Sequence, residues 1–178
     1  LELVNKGVAY RSEEPTLWCP HCQTALAQAE VENKPRDTKL NWIYFELEGG
    51  KKIEIATTRP EFLPATVAVF VNPKDKRYKK YVGKTAKVPL FDLKVPVLTD
   101  EMVDPKFGSG MMMVCIFGDG EDVAKWRKHK LPLKIMLNKD GTLNELAKKY
   151  KGLNLKQARM AILEDLEGQG YFIRDEPL

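Results

Sequence analysis

Hydrophobic and polar positions alternate most clearly between Thr38 and Thr58. Asn41-Trp42-Ile43-Tyr44-Phe45-Glu46-Leu47 and Lys51-Lys52-Ile53-Glu54-Ile55-Ala56-Thr57-Thr58 are two such runs around Gly49-Gly50. A period of two puts alternate side chains on opposite faces of a strand, and the glycine pair supplies the turn, so a β-hairpin is predicted. Thr66 to Val71 predicts another strand, and Thr85 to Leu90 and Lys94 to Leu98 two short ones. Pro89 and Pro96 lack a backbone donor and point to edges or bends. Met111-Met112-Met113-Val114-Cys115-Ile116-Phe117 is apolar throughout and reads as a fully buried strand. Lys134 to Leu137 and Tyr171 to Ile173 read as the last strands, with a turn at Asn138-Lys139-Asp140-Gly141.

The helical pattern is sparser. A short helix ends at Gly7, a basic helix is predicted over Lys74 to Tyr81, and another from about Glu121 to His129. Leu155, Ala158, Ile162, Leu163 and Leu166 share one face at helical spacing. Strands and helices are intermixed without strict alternation. The expected fold is α+β, or mixed: a β-barrel-like core of short strands with peripheral helices. Residues 1–37 read as a connector and 38–178 as the globular domain.

Composition narrows the class. The 178 residues suffice for one sizeable core, and 43% hydrophobic with 30% charged residues fits a soluble protein. No apolar run approaches the roughly 18 residues of a membrane helix, so no membrane partner is expected. The chain starts at Leu1 with no initiator Met, basic n-region or apolar h-region, and is expected to be cut from a longer one. Three cysteines do not make a secreted disulfide scaffold, so a cytoplasmic protein is expected; it is also expected to be monomeric. A net charge of +4 is compatible with nucleic acid without demanding it. Two His and two Ser, with Ser109 in Gly108-Ser109-Gly110 instead of a nucleophile elbow, disfavour serine hydrolysis. Neither a P-loop nor a complete G-x-G-x-x-G is present, which disfavours nucleotide-dependent chemistry.

Three segments stand out: Ile55-Ala56-Thr57-Thr58-Arg59-Pro60-Glu61, Phe107-Gly108-Ser109-Gly110, and Gly118-Asp119-Gly120-Glu121-Asp122 after the Met-rich run. In this order they resemble the editing domain (CP1) inserted into class I leucyl-, isoleucyl- and valyl-tRNA synthetases. Cys19-Pro20-His21-Cys22 and the residues to Glu32 resemble the connector that enters it. The resemblance covers essentially the whole chain, and Met-Val-Cys-Ile-Phe-Gly-Asp looks most like the archaeal-type valyl enzymes.

The resemblance implies post-transfer editing: hydrolysis of the ester of mischarged Thr-tRNA(Val) by a domain inserted in an aminoacyl-tRNA ligase. The need is physical. A pocket for valine rejects threonine only about 10²-fold, a general figure for valyl enzymes. A second site must therefore bind the hydroxyl, and valine would leave its polar group unpaired at a cost of about 1–3 kcal/mol. The implied partners are the aminoacylated 3′ end of tRNA and the rest of the parent synthetase.

The resemblance assigns Asp122 to the substrate's α-ammonium group and Asp119 to the threonine hydroxyl. Local sequence alone offers helix capping instead, with Asp119 as the N-cap and Asp122 at N3, and for Asp122 the two roles are compatible. Thr57, Thr58 and Arg59 are implied at the amino acid and terminal adenosine, with Glu61 beside them. Phe107 is either a base-stacking platform or a core aromatic. Met113 and Cys115 stand where bacterial valyl relatives carry Lys and Thr, Phe62 where Thr is usual, and Gly118 where many have His. Cys115, mid-run without a neighbouring base, reads as an inert thiol. Lys74 to Lys84 is either a phosphate contact or a solvated helix face. Cys19 and Cys22 form half a zinc site, since tetrahedral structural zinc takes four ligands. Editing is expected to need no cofactor, and zinc only in the full-length chain with downstream ligands. Two further readings stay open: an isoleucyl domain clearing Val-tRNA(Ile), and a non-catalytic tRNA-binding insertion.

Overall fold

The alternation around Gly49-Gly50 folds into an antiparallel pair in the computed structural model, which describes residues 1–11, 15–32, 34–35, 37–115 and 120–178. The chain forms two units, Leu1–Asn33 and Lys34–Leu178. In the first, a short helix α1 (Glu2–Asn5) precedes two two-residue strands, β1 (Trp18–Cys19) and β2 (Thr24–Ala25), paired antiparallel.

The second unit is built on β3 (Lys39–Leu47), β4 (Lys52–Thr57), β5 (Thr66–Val71), β6 (Thr85–Val88), β7 (Leu93–Thr99), β8 (Met111–Cys115) and β9 (Phe172–Pro177). The sheet runs β4-β3-β6-β7-β5-β8, with β9 also on β3, and curls into a nearly closed barrel-like core. All pairings are antiparallel except β5 with β7. The helices α2 (Gly120–His129) and α3 (Leu155–Gly168) are peripheral.

All six residues of β5 are buried. Val69 and Val71 face the main core with Phe45, Ile55, Val97 and Ile162, while Ala68 and Phe70 face a second cluster with Val103, Val114 and Leu131. A strand covered on both faces needs a continuous apolar run, as its sequence has. Ala158, Ile162 and Leu166 of α3 are fully buried, and Asn154 and Gln157 cap its start reciprocally.

Three expectations are corrected. Lys74 to Tyr81 is mostly turn, with only a 3-10 turn at Lys79–Tyr81. Asn72 Oδ1 accepts from Lys74 N and Asp75 Oδ1 from Arg77 N, and these local bonds replace a helix ladder. Lys134 to Leu137 forms no strand; Leu137 makes an isolated bridge to Leu143. Pro96 lies within β7, an interior strand, where the ladder to β5 begins only at Val97, so no sheet bond is lost. Ile116 and Phe117 lie outside the described residues.

Candidate active-site cleft

The end of β4, the loop 102–110, β8 and the first turn of α2 enclose a cleft of about 420 Å³. Thr57, Thr58, Arg59, Phe107, Met113, Cys115 and Asp122 all line it. Segments far apart in sequence thus converge because β4 and β8 stand at the two ends of the sheet path.

Asp122 enters from the third residue of α2 and is 3% exposed. Its Oδ2 accepts from the Cys115 backbone N–H at 3.3 Å, which fixes the carboxylate to the end of β8. The residue stands in the first turn, where the N-terminal end of a helix carries partial positive charge. Opposite, Thr57 Oγ1 accepts from Arg59 N at 3.1 Å, and Pro60 opens a 3-10 turn, Pro60–Ala65. Arg59 is thereby held where the strand ends, and its guanidinium lies 4.0 Å from the centroid of the Phe62 ring.

Phe107 is 52% exposed at the cleft wall, in keeping with a platform and not a core aromatic. Its loop owes its path to the glycines. A Cβ on Gly108 (φ +52) would meet Ala56 Cβ at 2.6 Å, and one on Gly110 (φ +78) would meet Pro105 O at 2.8 Å. Arg77 Nη2 donates to Pro105 O at 2.6 Å and Tyr78 OH to Ser109 O at 2.6 Å, so the 75–78 turn supports the loop from behind.

A second clasp holds α2. Asp100, with its side chain fully buried, accepts from His129 Nε2 at 2.6 Å, Lys128 Nζ at 2.9 Å and Met102 N at 2.9 Å. Burial pushes its carboxyl up, but His129, the Met102 N–H and Lys128 outweigh burial and hold it well below the usual carboxylate range.

Glu61 does not line the cleft; it is buried behind Arg59. Asp119 and Gly118 lie outside the described residues. Cys115 is 5% exposed and touches the cleft wall. The sequence reading missed Met102 and Asp104, which line the cleft from a loop without a motif. Ser109 Oγ is buried and bonded to the Met111 backbone, and among the described residues no Ser or His lines the cleft.

In the first unit, Cys22 N donates to Cys19 Sγ at 3.3 Å. The backbone N–H and thiol of Cys22 hold the Cys19 thiol below its ordinary pKa, while Cys22 itself is raised by that same thiol. Among the described residues no group of three or more His, Cys, Asp or Glu is placed to hold a metal.

The pattern of the family described as tRNA synthetases class I (I, L, M and V) matches residues 1–173. The chain belongs to that family. It is 50% identical over 178 residues to a valine–tRNA ligase of Methanothrix thermoacetophila, covering all of this chain and 21% of the relative. It is 48% identical over 179 residues to the valine–tRNA ligase of Methanocaldococcus jannaschii, covering 20% of it. The chain thus spans about a fifth of the length of these relatives. Its fold is similar to a solved Agrobacterium radiobacter LeuRS in a ternary complex with tRNA and LeuAMS, with a TM-score of 0.63 and 17% identity over 80% of this chain and 20% of that one.

No helix among the described residues is long and apolar enough to cross a membrane.

Proposed function

We propose that this chain is the editing domain of a valyl-type synthetase and hydrolyses the ester of Thr-tRNA(Val). The carrying observation is that one cleft gathers the buried carboxylate of Asp122, the hydroxyls of Thr57 and Thr58, the Arg59 guanidinium and an exposed Phe107. A fixed carboxylate recognises an α-ammonium group; a guanidinium recognises carbonyl or phosphate oxygen through its planar fork. An exposed aromatic at the mouth gives the terminal adenine a stacking face. The high identity to valine–tRNA ligases supports the valyl assignment over the isoleucyl one.

In this reading water adds to the ester carbonyl carbon. The bond to the ribose oxygen breaks, that oxygen leaves with a proton, and free threonine and tRNA result. The cleft acts by holding ester and water in reactive geometry. On the far side of loop 104–108, Lys74, Lys76 and Lys106 border an open hollow together with the Asp75–Arg77 ion pair. Asp104, Phe107 and Gly110 face the cleft while Pro105, Lys106 and Gly108 face the hollow. A strand leaving the cleft over Phe107 meets these cations, which suit its phosphates.

Comparing deacylation of Thr-tRNA and Val-tRNA by the full-length protein tests the proposal. Selective Thr-tRNA hydrolysis supports it, selective Val-tRNA hydrolysis supports the isoleucyl reading, and binding without hydrolysis supports a non-catalytic insertion.

A further inference from the structure

The Arg59 side chain has two neighbours with no place in the reaction as proposed, and one of them has a further partner of its own. Its guanidinium lies 4.0 Å from the Phe62 centroid, and its Nε stands 3.5 Å from Glu61 Oε1. The other Glu61 oxygen lies 3.3 Å from Arg159 Nε on α3. The Glu61 side chain is only 7% exposed, whereas those of Arg59 and Arg159 are 40% and 32% exposed. Phe62, at 5% exposure, is part of the main core, so its ring is fixed by packing.

These contacts form a chain from the helix layer to the cleft. Arg159 stands as the counter-charge to one oxygen of Glu61 without a hydrogen bond to it, the other oxygen faces the Arg59 Nε, and Phe62 presents its ring face beneath the guanidinium. An arginine free in solvent loses rotamer freedom when it is immobilised. Ordering it beforehand on a rigid ring and a buried carboxylate moves that loss into folding, so that it no longer weakens substrate capture. Pro60 and the Thr57 hydroxyl do the same for the Arg59 backbone. Both levels of restraint converge on one side chain, which is more than core packing alone requires.

We infer that Glu61, Phe62 and Arg159 are positioning residues that pre-organise Arg59 at the cleft wall for a substrate oxygen. The catalytic part rests on the editing reading; the ordering of Arg59 does not, and the two are tested separately. Phe62→Leu keeps apolar volume but removes the ring face, and Glu61→Gln keeps shape but removes the charge.

In the full-length protein, the Arg59 Nε–Hε signal in 15N-relaxation NMR is expected to be ordered in the wild type. It is expected to become mobile in both variants, while Arg159→Lys, which keeps a cation beside Glu61, restores much of the order lost in Arg159→Met. In Thr-tRNA deacylation, each variant is expected to lower kcat/KM roughly three- to tenfold. In an Arg59→Ala background, Phe62→Leu and Glu61→Gln are expected to change kcat/KM no further. Unchanged Arg59 order in folded Phe62→Leu and Glu61→Gln overturns the inference, as do fully additive losses in the Arg59→Ala background. Ordered Arg59 in a wild type that hydrolyses no aminoacyl-tRNA, with order lost in the variants, refutes the editing reading and leaves the positioning intact.

Discussion

The Cys115 backbone N–H donates to the Asp122 carboxylate at 3.3 Å, joining the last residue of β8 to the first turn of α2. This bond sets where the buried carboxylate stands relative to Thr57 at the end of β4 and Thr58 just after it. The geometry of the cleft therefore depends on what holds β8, α2 and loop 102–110 in register.

Gly108 is one such element. With φ at +52 and Ala56 Cβ 2.6 Å from any added Cβ, Gly108→Ala must shift either the loop or β4. A destabilisation of about 2–3 kcal/mol is expected. Because the displaced loop carries Phe107, KM for aminoacyl-tRNA is expected to rise several-fold. Thermal unfolding and deacylation kinetics check both.

Asp100 gives a pH signature. Its folded-state carboxyl lies below the ordinary range, so the stability it confers is full above the unfolded pKa of about 3.9 and is lost as pH falls toward the folded value. Asp100→Asn is expected to cost roughly 2–4 kcal/mol at neutral pH, since Lys128 loses a buried counter-charge and His129 a buried carboxylate acceptor. The variant is also expected to show a shallower loss of stability below pH 4. Denaturant unfolding across pH measures both.

The hollow behind loop 104–108 predicts a salt effect. Lys74→Ala with Lys106→Ala is expected to weaken tRNA binding and to reduce the log–log salt slope by about 1.4, two phosphate contacts on a single strand. An unchanged slope in a filter-binding titration assigns these lysines to solvent alone.

Cys19 and Cys22 provide two soft ligands of the four that structural zinc takes. The 178-residue chain alone is expected to carry less than stoichiometric zinc by elemental analysis. The full-length protein is expected to bind it through further ligands, with Cys19→Ser abolishing that binding.

Legibility in the sequence followed locality. The β3–β4 hairpin was readable because alternation and Gly49-Gly50 lie within twenty residues or so of each other, and α3 because Ala158, Ile162 and Leu166 repeat at helical spacing. The parallel pairing of β5 with β7 was not, since nothing in either run names its partner. Lys74 to Tyr81 read as a helix on propensity alone, but side-chain bonds from Asn72 and Asp75 closed turns first. At the cleft, Thr57, Arg59, Phe107 and Asp122 were legible as motif residues. Glu61 belonged to the same motif yet lies behind Arg59, a distinction only the three-dimensional arrangement of α3 makes. Nothing in the sequence marks Asp100, because its partners are 28 and 29 residues away.

The central claim is that the Asp122 carboxylate captures the α-ammonium group of a threonyl ester. The most direct measurement is single-turnover deacylation of Thr-tRNA(Val) and Val-tRNA(Val) by the full-length wild type and Asp122→Ala, with circular dichroism as the fold control. The account predicts rapid, Thr-selective hydrolysis by the wild type and a loss of at least about 100-fold in the folded variant, the scale of a lost buried charge contact. Undiminished Thr-tRNA hydrolysis by folded Asp122→Ala contradicts it.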